Sequence, residues 1–156
     1  MIRAATLHDI DALLQIEHRC FQHDRLTRLD FTRALKGKSA VVLVAEQGGA
    51  VLGYALIRVR GRQAHLESLA VDPPARRIGL GRTLLQAAEQ AVQERGALHM
   101  RLEIREDNPA AYALYRALGY RQHGTWLEYY EDETDALRLR KALTIPGTEE
   151  DALGIG

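Results

Sequence analysis

The stretch Leu69-Ala-Val-Asp-Pro-Pro-Ala-Arg-Arg-Ile-Gly-Leu-Gly-Arg-Thr-Leu-Leu85 governs the interpretation of the whole chain. A short apolar run is broken by two prolines, arginines and glycines follow, and an amphipathic pattern begins at Leu80. The predicted order is strand, loop and helix. Glycine lets backbone approach a ligand closely, and the unpaired N–H groups of a helix's first turn attract anions. The stretch therefore predicts a diphosphate-binding loop, whose positive field Arg76, Arg77 and Arg82 strengthen.

Two common phosphate motifs do not fit this loop. A P-loop requires lysine after its second glycine and another glycine five positions earlier, whereas Arg82 follows Gly81 and position 76 is Arg76. A dinucleotide fingerprint requires a third glycine where the chain has Leu84. A solvated turn rich in glycine and arginine remains the alternative for the loop taken in isolation.

Length and composition narrow the class of protein. The chain has 156 residues, the size of one domain, with 21 basic and 21 acidic side chains. This balance gives no sign of a nucleic-acid or anionic-membrane partner, and no apolar run is long enough to span a bilayer. We therefore expect a cytoplasmic protein with no nucleic-acid and no membrane partner. The single Cys20 excludes an internal disulfide and is interpreted as core filling rather than a nucleophile.

The first third of the chain predicts a strand at residues 2–5 and two helices. Thr6 and Asp9 have the spacing of a capping box at the start of the first helix. Glu17 lies on the apolar face of that helix, and we place its carboxylate in solvent, with a cleft as the alternative. Residues 23–35 predict a loop and a weaker second helix that would cover a binding site.

Three strands are predicted before the phosphate loop. Residues 41–46 and 51–60 form a hairpin, and residues 64–71 follow after a second turn. Strict alternation in the third strand separates two faces, Glu67, Leu69 and Val71 on one and Leu66, Ser68 and Ala70 on the other. Glu67 then stands among apolar residues, as either a surface side chain or a functional carboxylate.

The last third of the chain predicts a helix from Leu80, a strand at residues 99–104, another helix and a closing hairpin. Asn108 caps the second of these helices and Pro109 begins it. The predicted apolar stripe of that helix is Ala111, Leu114, Tyr115 and Leu118, so Tyr115 points inward. The hairpin strands are residues 120–130 and 136–141, and residues 144–156 should be loosely held.

These elements in this order resemble the GNAT superfamily of N-acetyltransferases. Arg77-Ile-Gly-Leu-Gly-Arg82 and the run from Asn108 to Tyr120 carry the resemblance, which covers residues 2–142 and is strongest to bacterial ribosomal-protein-alanine N-acetyltransferases. It implies an α/β (α+β) fold with a mixed central sheet of about seven strands and about four flanking helices. Residues 1–143 would form this single domain and residues 144–156 its tail.

The resemblance also implies a site. Glu103 matches the proton acceptor and Tyr115 the proton donor, while Glu67 occupies the position where other GNAT branches have their base, so the choice between the two carboxylates stays open. The implied acetyl-CoA contacts are Leu69, Ala70 and Val71 for the pantetheine arm, Arg76, Arg77, Ile78, Gly79, Leu80, Gly81 and Arg82 for the diphosphate, and Asn108 and Tyr115.

The implied reaction is transfer of an acetyl group from acetyl-CoA to a primary amine, and the expected acceptor is the α-amine of a protein or peptide N-terminus. A small amine is the alternative acceptor, and a non-catalytic acyl-CoA sensor is the alternative class. This reaction needs no metal ion, and none is expected. We expect the protein to be a monomer or a homodimer. The family's Pro-Trp segment is replaced here by His23-Asp24-Arg25-Leu26-Thr27, so the acceptor-facing loop differs.

Three histidines on predicted strands also invite a chemical role. They are His65, His99 and His123. None has a second histidine or a cysteine at metal-ligand spacing. We interpret them as residues of exposed strand faces rather than as catalytic groups.

Overall fold

The computed structural model, which describes residues 1–76 and 78–143, contains seven strands and four α-helices. The strands are β1 (Ile2–Ala4), β2 (Ala40–Gln47), β3 (Ala50–Arg60), β4 (Gln63–Val71), β5 (His99–Arg105), β6 (Arg121–Trp126) and β7 (Ala136–Ala142). The helices are α1 (Ile10–Cys20), α2 (Arg28–Lys36), α3 (Leu80–Glu94) and α4 (Pro109–Ala117). The predicted mixed sheet with four flanking helices is confirmed.

The strands form one sheet in the order β1-β2-β3-β4-β5-β7-β6. All neighbours are antiparallel except β4 and β5, which are parallel and pair only from Gln63 and His99 to His65 and Arg101. Beyond these residues the two strands have no ladder between them. The sheet therefore opens in its middle, at the carboxyl end of two parallel strands, where α/β proteins bind ligands.

Apolar residues pack on both faces of the sheet and form two cores. Helices α3 and α4 cover one face, with Leu85, Ala88, Val92, Met100, Leu102, Tyr115 and Leu139 among the buried residues. Helices α1 and α2 cover the other face, with Leu13, Ile16, Phe31, Val44, Tyr54 and Leu56 among them. The alternation of strands β2 and β3 sends neighbouring residues into opposite cores, which explains their nearly continuous apolar sequence.

Local sequence signals set the ends of the helices. The Asn108 side chain accepts a hydrogen bond from the backbone N–H of Ala111 at 3.1 Å, so the predicted cap of α4 is confirmed. The backbone N–H of Thr6 donates to the Asp9 carboxylate at 2.7 Å. A short 3-10 helix at Leu7–Asp9 follows Thr6, and α1 begins directly after it, at Ile10. Gly79 precedes α3 with φ of 79°, a conformation that favours glycine.

A β-bulge overturns the predicted face assignment of β4. Leu56 of β3 is opposite Ser68 while Ile57 is opposite Leu66, so Glu67 is the extra residue in β4. The bulge shifts the alternation by one position. Leu66 and Leu69 therefore both face α3, whereas Ser68 bonds to Tyr54 on the side of α1. The prediction of an uninterrupted alternation along β4 was wrong.

Two further expectations about the carboxyl-terminal half need correction. Leu114 is 39% exposed and is not part of the buried stripe of α4, which Tyr115 occupies. Strand β6 ends at Trp126 and not at residue 130, so Tyr129 and Tyr130 belong to the loop before β7. Arg77 and the predicted tail at residues 144–156 lie outside the described residues.

Candidate active site

The opening between β4 and β5 is a cleft of about 650 Å³. Residues of α1, the loop after it, both strands, the start of α4 and the loop before β7 line it. The predicted site residues that reach the cleft are Glu67, Leu69, Glu103, Asn108 and Tyr115. The fold thus brings both candidate carboxylates and the candidate tyrosine to one cavity, although they come from three different elements.

Glu103 lies on β5 with a side chain that is only 8% exposed. Its Oε1 accepts a hydrogen bond from Nε2 of His65, on β4, at 2.7 Å. His65 is half-buried and bonded, so its interpretation as a residue of an exposed strand face was wrong. A hydrogen bond from an imidazole N–H fixes the orientation of a carboxylate and leaves its second oxygen free to accept a proton.

Glu67 is the bulged residue of β4, and the bulge aims its side chain at the same cavity. Its Oε1 accepts from Nε of Arg58 at 2.8 Å, and the carboxylate is about one quarter exposed. The two candidate bases therefore differ in the side chain that donates a hydrogen bond to each carboxylate. Glu67 is bonded to a guanidinium, which holds its proton permanently, and Glu103 to an imidazole, which exchanges one.

Tyr115 lies on α4 and is 8% exposed, as its place on the apolar stripe predicts. Its ring packs edge-on against Tyr120, with 5.6 Å between the centroids. Burial raises the pKa of Tyr115 above its ordinary value, so the hydroxyl keeps its proton at neutral pH. Its hydroxyl makes no hydrogen bond to another residue of the described chain. Tyr112, one step around the helix, stacks instead under Arg116.

The end of β4 presents backbone groups to the opening. The N–H of Asp72 donates to the carbonyl of Leu52 on β3 at 2.7 Å. This bond shows which residues of β4 direct their backbone groups toward β3. By the two-residue period of an antiparallel pair, Ala70 also bonds to β3, whereas Leu69 and Val71 direct their backbone groups away from it. Among the three predicted pantetheine contacts, Leu69 and Val71 are therefore the better placed.

The described residues of the glycine and arginine loop, Arg76 and 78–82, are not among those that line the cleft. Arg76 turns back onto the strand end, where its Nε donates to the Val71 carbonyl at 3.0 Å and its terminal nitrogen lies 3.3 Å from Cys20 Sγ. Ile78 is 66% exposed. Gly79 precedes α3, and Leu80, Gly81 and Arg82 are its first three residues. Arg82 borders a smaller cavity of about 350 Å³ between α3 and the end of α4.

A buried polar network at the base of the cleft was not predicted. Glu17 is 3% exposed, and its carboxylate accepts hydrogen bonds from the Tyr54 hydroxyl and from the backbone N–H of Leu26, the latter at 2.8 Å. Ser68 Oγ lies 2.7 Å from the same hydroxyl. The placement of Glu17 in solvent was wrong because this network satisfies its carboxylate inside. An acid on an otherwise apolar stripe was the available signal.

Burial raises the pKa of Glu17, partly offset by its hydrogen bonds from Tyr54 and Leu26. Burial, together with the nearby Glu17 carboxylate, raises the pKa of Tyr54 as well. The network links the end of α1, the acceptor-facing loop at Leu26 and the bulge of β4. It therefore sets the position of that loop against the sheet.

The loop before β7 closes the cleft from the opposite side. Tyr130 lines the cavity, and the Arg105 guanidinium lies 5.1 Å from the centre of its ring. Arg105 also bonds to Asp107 and Asp132, which ties the end of β5 to this loop. The backbone N–H of Glu131 in this loop donates to the Asp24 carboxylate at 3.4 Å, so the loop also contacts the acceptor-facing loop.

Neither a metal centre nor a membrane span is found in the described part of the chain. No group of three histidine, cysteine, aspartate or glutamate side chains among residues 1–76 and 78–143 is arranged to hold a metal ion. Over the same residues, no helix combines the length and apolar character needed to cross a membrane.

Comparison with known proteins agrees with this geometry. Residues 8–120 match the acetyltransferase (GNAT) family. The N-alpha-acetyltransferase of Sulfurisphaera tokodaii is 33% identical over 155 residues, covering 91% of this chain and 92% of that protein. The catalytic subunit NAA10 of the N-terminal acetyltransferase A complex of Arabidopsis thaliana is 29% identical over 148 residues, covering 91% and 77%.

Among solved structures, the ribosomal-protein-S18-alanine N-acetyltransferase from Escherichia coli superimposes with a TM-score of 0.85 at 29% identity, covering 93% of this chain and 94% of that one. The predicted resemblance to ribosomal-protein-alanine N-acetyltransferases is confirmed at the level of both sequence and fold. The chain belongs to the acetyltransferase (GNAT) family.

Proposed function

We propose that this protein transfers the acetyl group of acetyl-CoA to the α-amine at the N-terminus of a protein or peptide. The observation that carries the proposal is the opening of the sheet after His65 and Arg101, which brings Glu103 and Tyr115 to one cleft. Relatives named for N-alpha and ribosomal-protein-alanine acetylation support the choice of acceptor.

Acetyl-CoA, the acetyl donor of this family, supplies the activated acyl group. The described residues fit a diphosphate at the start of α3. Gly79 has a positive φ with no atom within 4 Å of where a Cβ would stand, whereas a Cβ on Gly81 would contact the Val71 side chain at 3.7 Å. The first-turn N–H groups of this 15-residue helix have no intrahelical partner and carry partial positive charge.

The remaining donor contacts follow the strand end and α4. Leu69 and Val71 present backbone groups to the pantetheine arm, with Ala70 between them. Asn108 lies at the start of α4 on the wall of the cleft. The loop from Arg76 to Arg82 binds the diphosphate. We include Arg77 among these residues because of the sequence pattern.

We assign the proton-accepting role to Glu103. The reacting amine must lose its proton, and the buried Glu103 carboxylate, held in place by the Nε2–H of His65, receives it directly or through one water. Glu67 is the alternative base, but its carboxylate is bonded to Arg58. Tyr115, kept protonated by burial, donates a proton to the departing thiolate of CoA.

An N-terminal amine suits this arrangement for a chemical reason. Its unperturbed pKa is about 7.7 to 8.0 against about 10.4 for a lysine side chain, so it needs less help from a base at neutral pH. The cleft of about 650 Å³ is also large enough for the first residues of a peptide. Its wall carries the carboxylates of Glu17, Glu67 and Glu103, which attract a cationic terminus.

The proposal is tested by incubating the protein with acetyl-CoA and a panel of peptides, polyamines, amino acids and aminoglycosides, followed by mass spectrometry of the products. We expect one acetyl group on a peptide N-terminus and none on an internal lysine. Acetylation of small amines alone would replace the acceptor assignment. Binding of acetyl-CoA without any product would favour the sensor class.

A further inference from the structure

Three arginines and one histidine form a row of basic side chains across the sheet next to the cleft. Arg58 on β3 is opposite His65 on β4, His65 is opposite Arg101 on β5, and Arg101 is opposite Arg140 on β7. Residues opposite one another in a ladder share a face, so all four project from the same side of the sheet. This set is called the cationic row.

The cationic row lies on a part of the sheet that none of the described helices α1 to α4 covers. Arg140 is exposed and the other three members are half-buried. Helix α1 packs against β3 and β4, α2 packs against β2, and α3 and α4 lie on the opposite face. A shallow cavity of about 210 Å³ runs between Arg58, His65 and Arg101.

Arg58 is paired with Glu67 and His65 is bonded to Glu103, but the other two members of the row have no carboxylate partner in the described part of the chain. Within residues 1–76 and 78–143, neither Arg101 nor Arg140 forms an ion pair with a carboxylate, and buried Nε of Arg138 has no hydrogen-bond partner. Like charges directly opposite each other destabilise a sheet. The pKa of His123 is lowered, mainly by partial desolvation and to a smaller extent by the charges of Arg138, Arg140 and Arg101. An anionic partner would relieve this repulsion.

The cationic row borders the cleft directly. Its member His65 bonds to Glu103, and Glu67 lines both the cleft and the cavity of the row. Glu103 is two residues beyond Arg101 on β5, which is about 7 Å at the rise of a strand. A peptide whose terminal amine is near Glu103 would therefore reach the row after about two residues of extended chain.

We propose that the cationic row binds an acidic segment of the acceptor polypeptide, close behind its N-terminus. The row spans three gaps between strands, about 14 Å in all, which corresponds to about four extended residues. Acidic residues are therefore expected at about the third to sixth positions of a preferred acceptor. This inference rests on the proposed acetylation of N-termini and defines the class of sequence that follows the acetylated residue.

An acidic peptide fits the row better than a nucleic acid does. Among the described residues that line the cavity of the row there is no Phe, Tyr or Trp on which a base could stack, and the Glu67 carboxylate stands within it. The whole chain has no net charge, which gives no long-range attraction for a polyanion. A short acidic segment, already held at its N-terminus in the cleft, needs only local charge complementarity.

The test compares three peptides of equal length that all begin with alanine. One carries four acidic residues at positions three to six, one carries the same residues at positions nine to twelve, and one has glutamine and asparagine in their place. Binding of labelled peptide in the presence of CoA is measured by fluorescence anisotropy, and acetylation is measured by mass spectrometry. The binding measurement does not depend on turnover.

We expect the first peptide to bind about fivefold more tightly than the other two, with the advantage lost at high salt. Arg101→Gln and Arg140→Gln should remove most of this advantage without changing binding of the neutral peptide. Arg33→Gln, which removes an exposed charge from α2, is the matched control and should leave the preference intact.

Equal binding of the three peptides, or a preference that survives both row variants, would overturn the inference even if every peptide is acetylated. An oligonucleotide that competes as well as the acidic peptide would overturn it in favour of a nucleic-acid surface. The absence of acetylation on any peptide would instead count against the proposed function, while position-dependent binding would still support the row as an acidic-segment site.

Discussion

Oε1 of Glu103 lies 2.7 Å from Nε2 of His65, across the point where β4 and β5 separate. His65 is the last residue of β4 that pairs with β5, and Glu103 is two residues beyond the last paired residue of β5. The bond therefore joins the cleft to the outer face of the sheet. His65 therefore orients the Glu103 carboxylate, whose other oxygen is free to accept the proton of the reacting amine.

Replacing Glu103 by glutamine should lower kcat/KM for a peptide acceptor by about a hundredfold or more, because the side chain loses its ability to accept a proton. The affinity for acetyl-CoA should change little, since the amide keeps the shape of the carboxylate. Steady-state kinetics over pH 6 to 10, with isothermal titration of acetyl-CoA, measure the two effects separately. The loss should shrink at high pH, where the amine is already neutral.

Glu67→Gln is the comparison for this experiment. It removes the ion pair with Arg58 but leaves the bond between Glu103 and His65 intact, so we expect a much smaller loss. A larger loss in Glu67→Gln than in Glu103→Gln would transfer the role of base to Glu67.

Tyr115→Phe should lower kcat by about a hundredfold while leaving acetyl-CoA affinity nearly unchanged, because its hydroxyl acts on the thiolate only as the bond breaks. The fold should tolerate the change, since that hydroxyl has no hydrogen-bond partner in the described chain and the ring keeps its contact with Tyr120. Rapid-quench measurement of the chemical step and a thermal melt check both expectations. Tyr112→Phe is the control, and a loss confined to that variant would make Tyr112 the acid.

Those features of the fold that depend on local sequence were predictable. The cap at Asn108, the glycine before α3 and the inward position of Tyr115 each follow from residues within one turn of a helix. The order of elements then identified the family, because the loop before α3 and the run at α4 occur together.

Features that depend on contacts between distant segments were not predictable in this way. The bulge at Glu67 exists only relative to the register of β3, which the sequence of β4 does not contain. Glu17 is buried because Tyr54, 37 residues away, donates to its carboxylate. His65 and Glu103 are 38 residues apart and meet only through parallel pairing.

Gly79→Ala should abolish most of the thermal stabilisation that acetyl-CoA gives, because the residue must hold a φ of 79° at the start of α3. A ligand at one hundred times its Kd stabilises a protein by about 2.7 kcal/mol, so the effect in the unmodified protein is easily measured by a thermal melt. Gly96→Ala is the matched control. Gly96 has a φ of 96° and equally open surroundings, but it follows the other end of the same helix.

Both glycine variants should lose about 1 to 2 kcal/mol of stability without ligand, because each forces a side chain into a left-handed conformation. Only Gly79→Ala should also lose its response to acetyl-CoA. An undiminished response in Gly79→Ala would argue against a diphosphate at this helix start.

The buried Glu17 carboxylate should make stability depend on pH in a defined direction. Folding raises its pKa above the ordinary value of 4.5, so the native protein holds this proton more tightly than the unfolded chain does. The stabilisation from this group is therefore complete below about pH 4.5 and is lost as the pH rises through the folded-state pKa. Glu17→Gln removes this dependence and keeps the shape of the side chain.

We expect the free energy of unfolding of Glu17→Gln, relative to the unmodified protein, to increase as the pH rises above about 4.5 and to level off once the pH passes the folded-state pKa of Glu17. Glu17→Ala should instead be less stable at every pH, because the Leu26 N–H loses its acceptor and the Tyr54 hydroxyl keeps only Ser68 as a partner, at about 1 to 3 kcal/mol for an unsatisfied group. Urea unfolding at each pH measures these differences. Glu94→Gln, at an exposed position on α3, is the control and should show no such trend. A difference between Glu17→Gln and the unmodified protein that stays constant across the range would mean that Glu17 ionises normally in the folded protein.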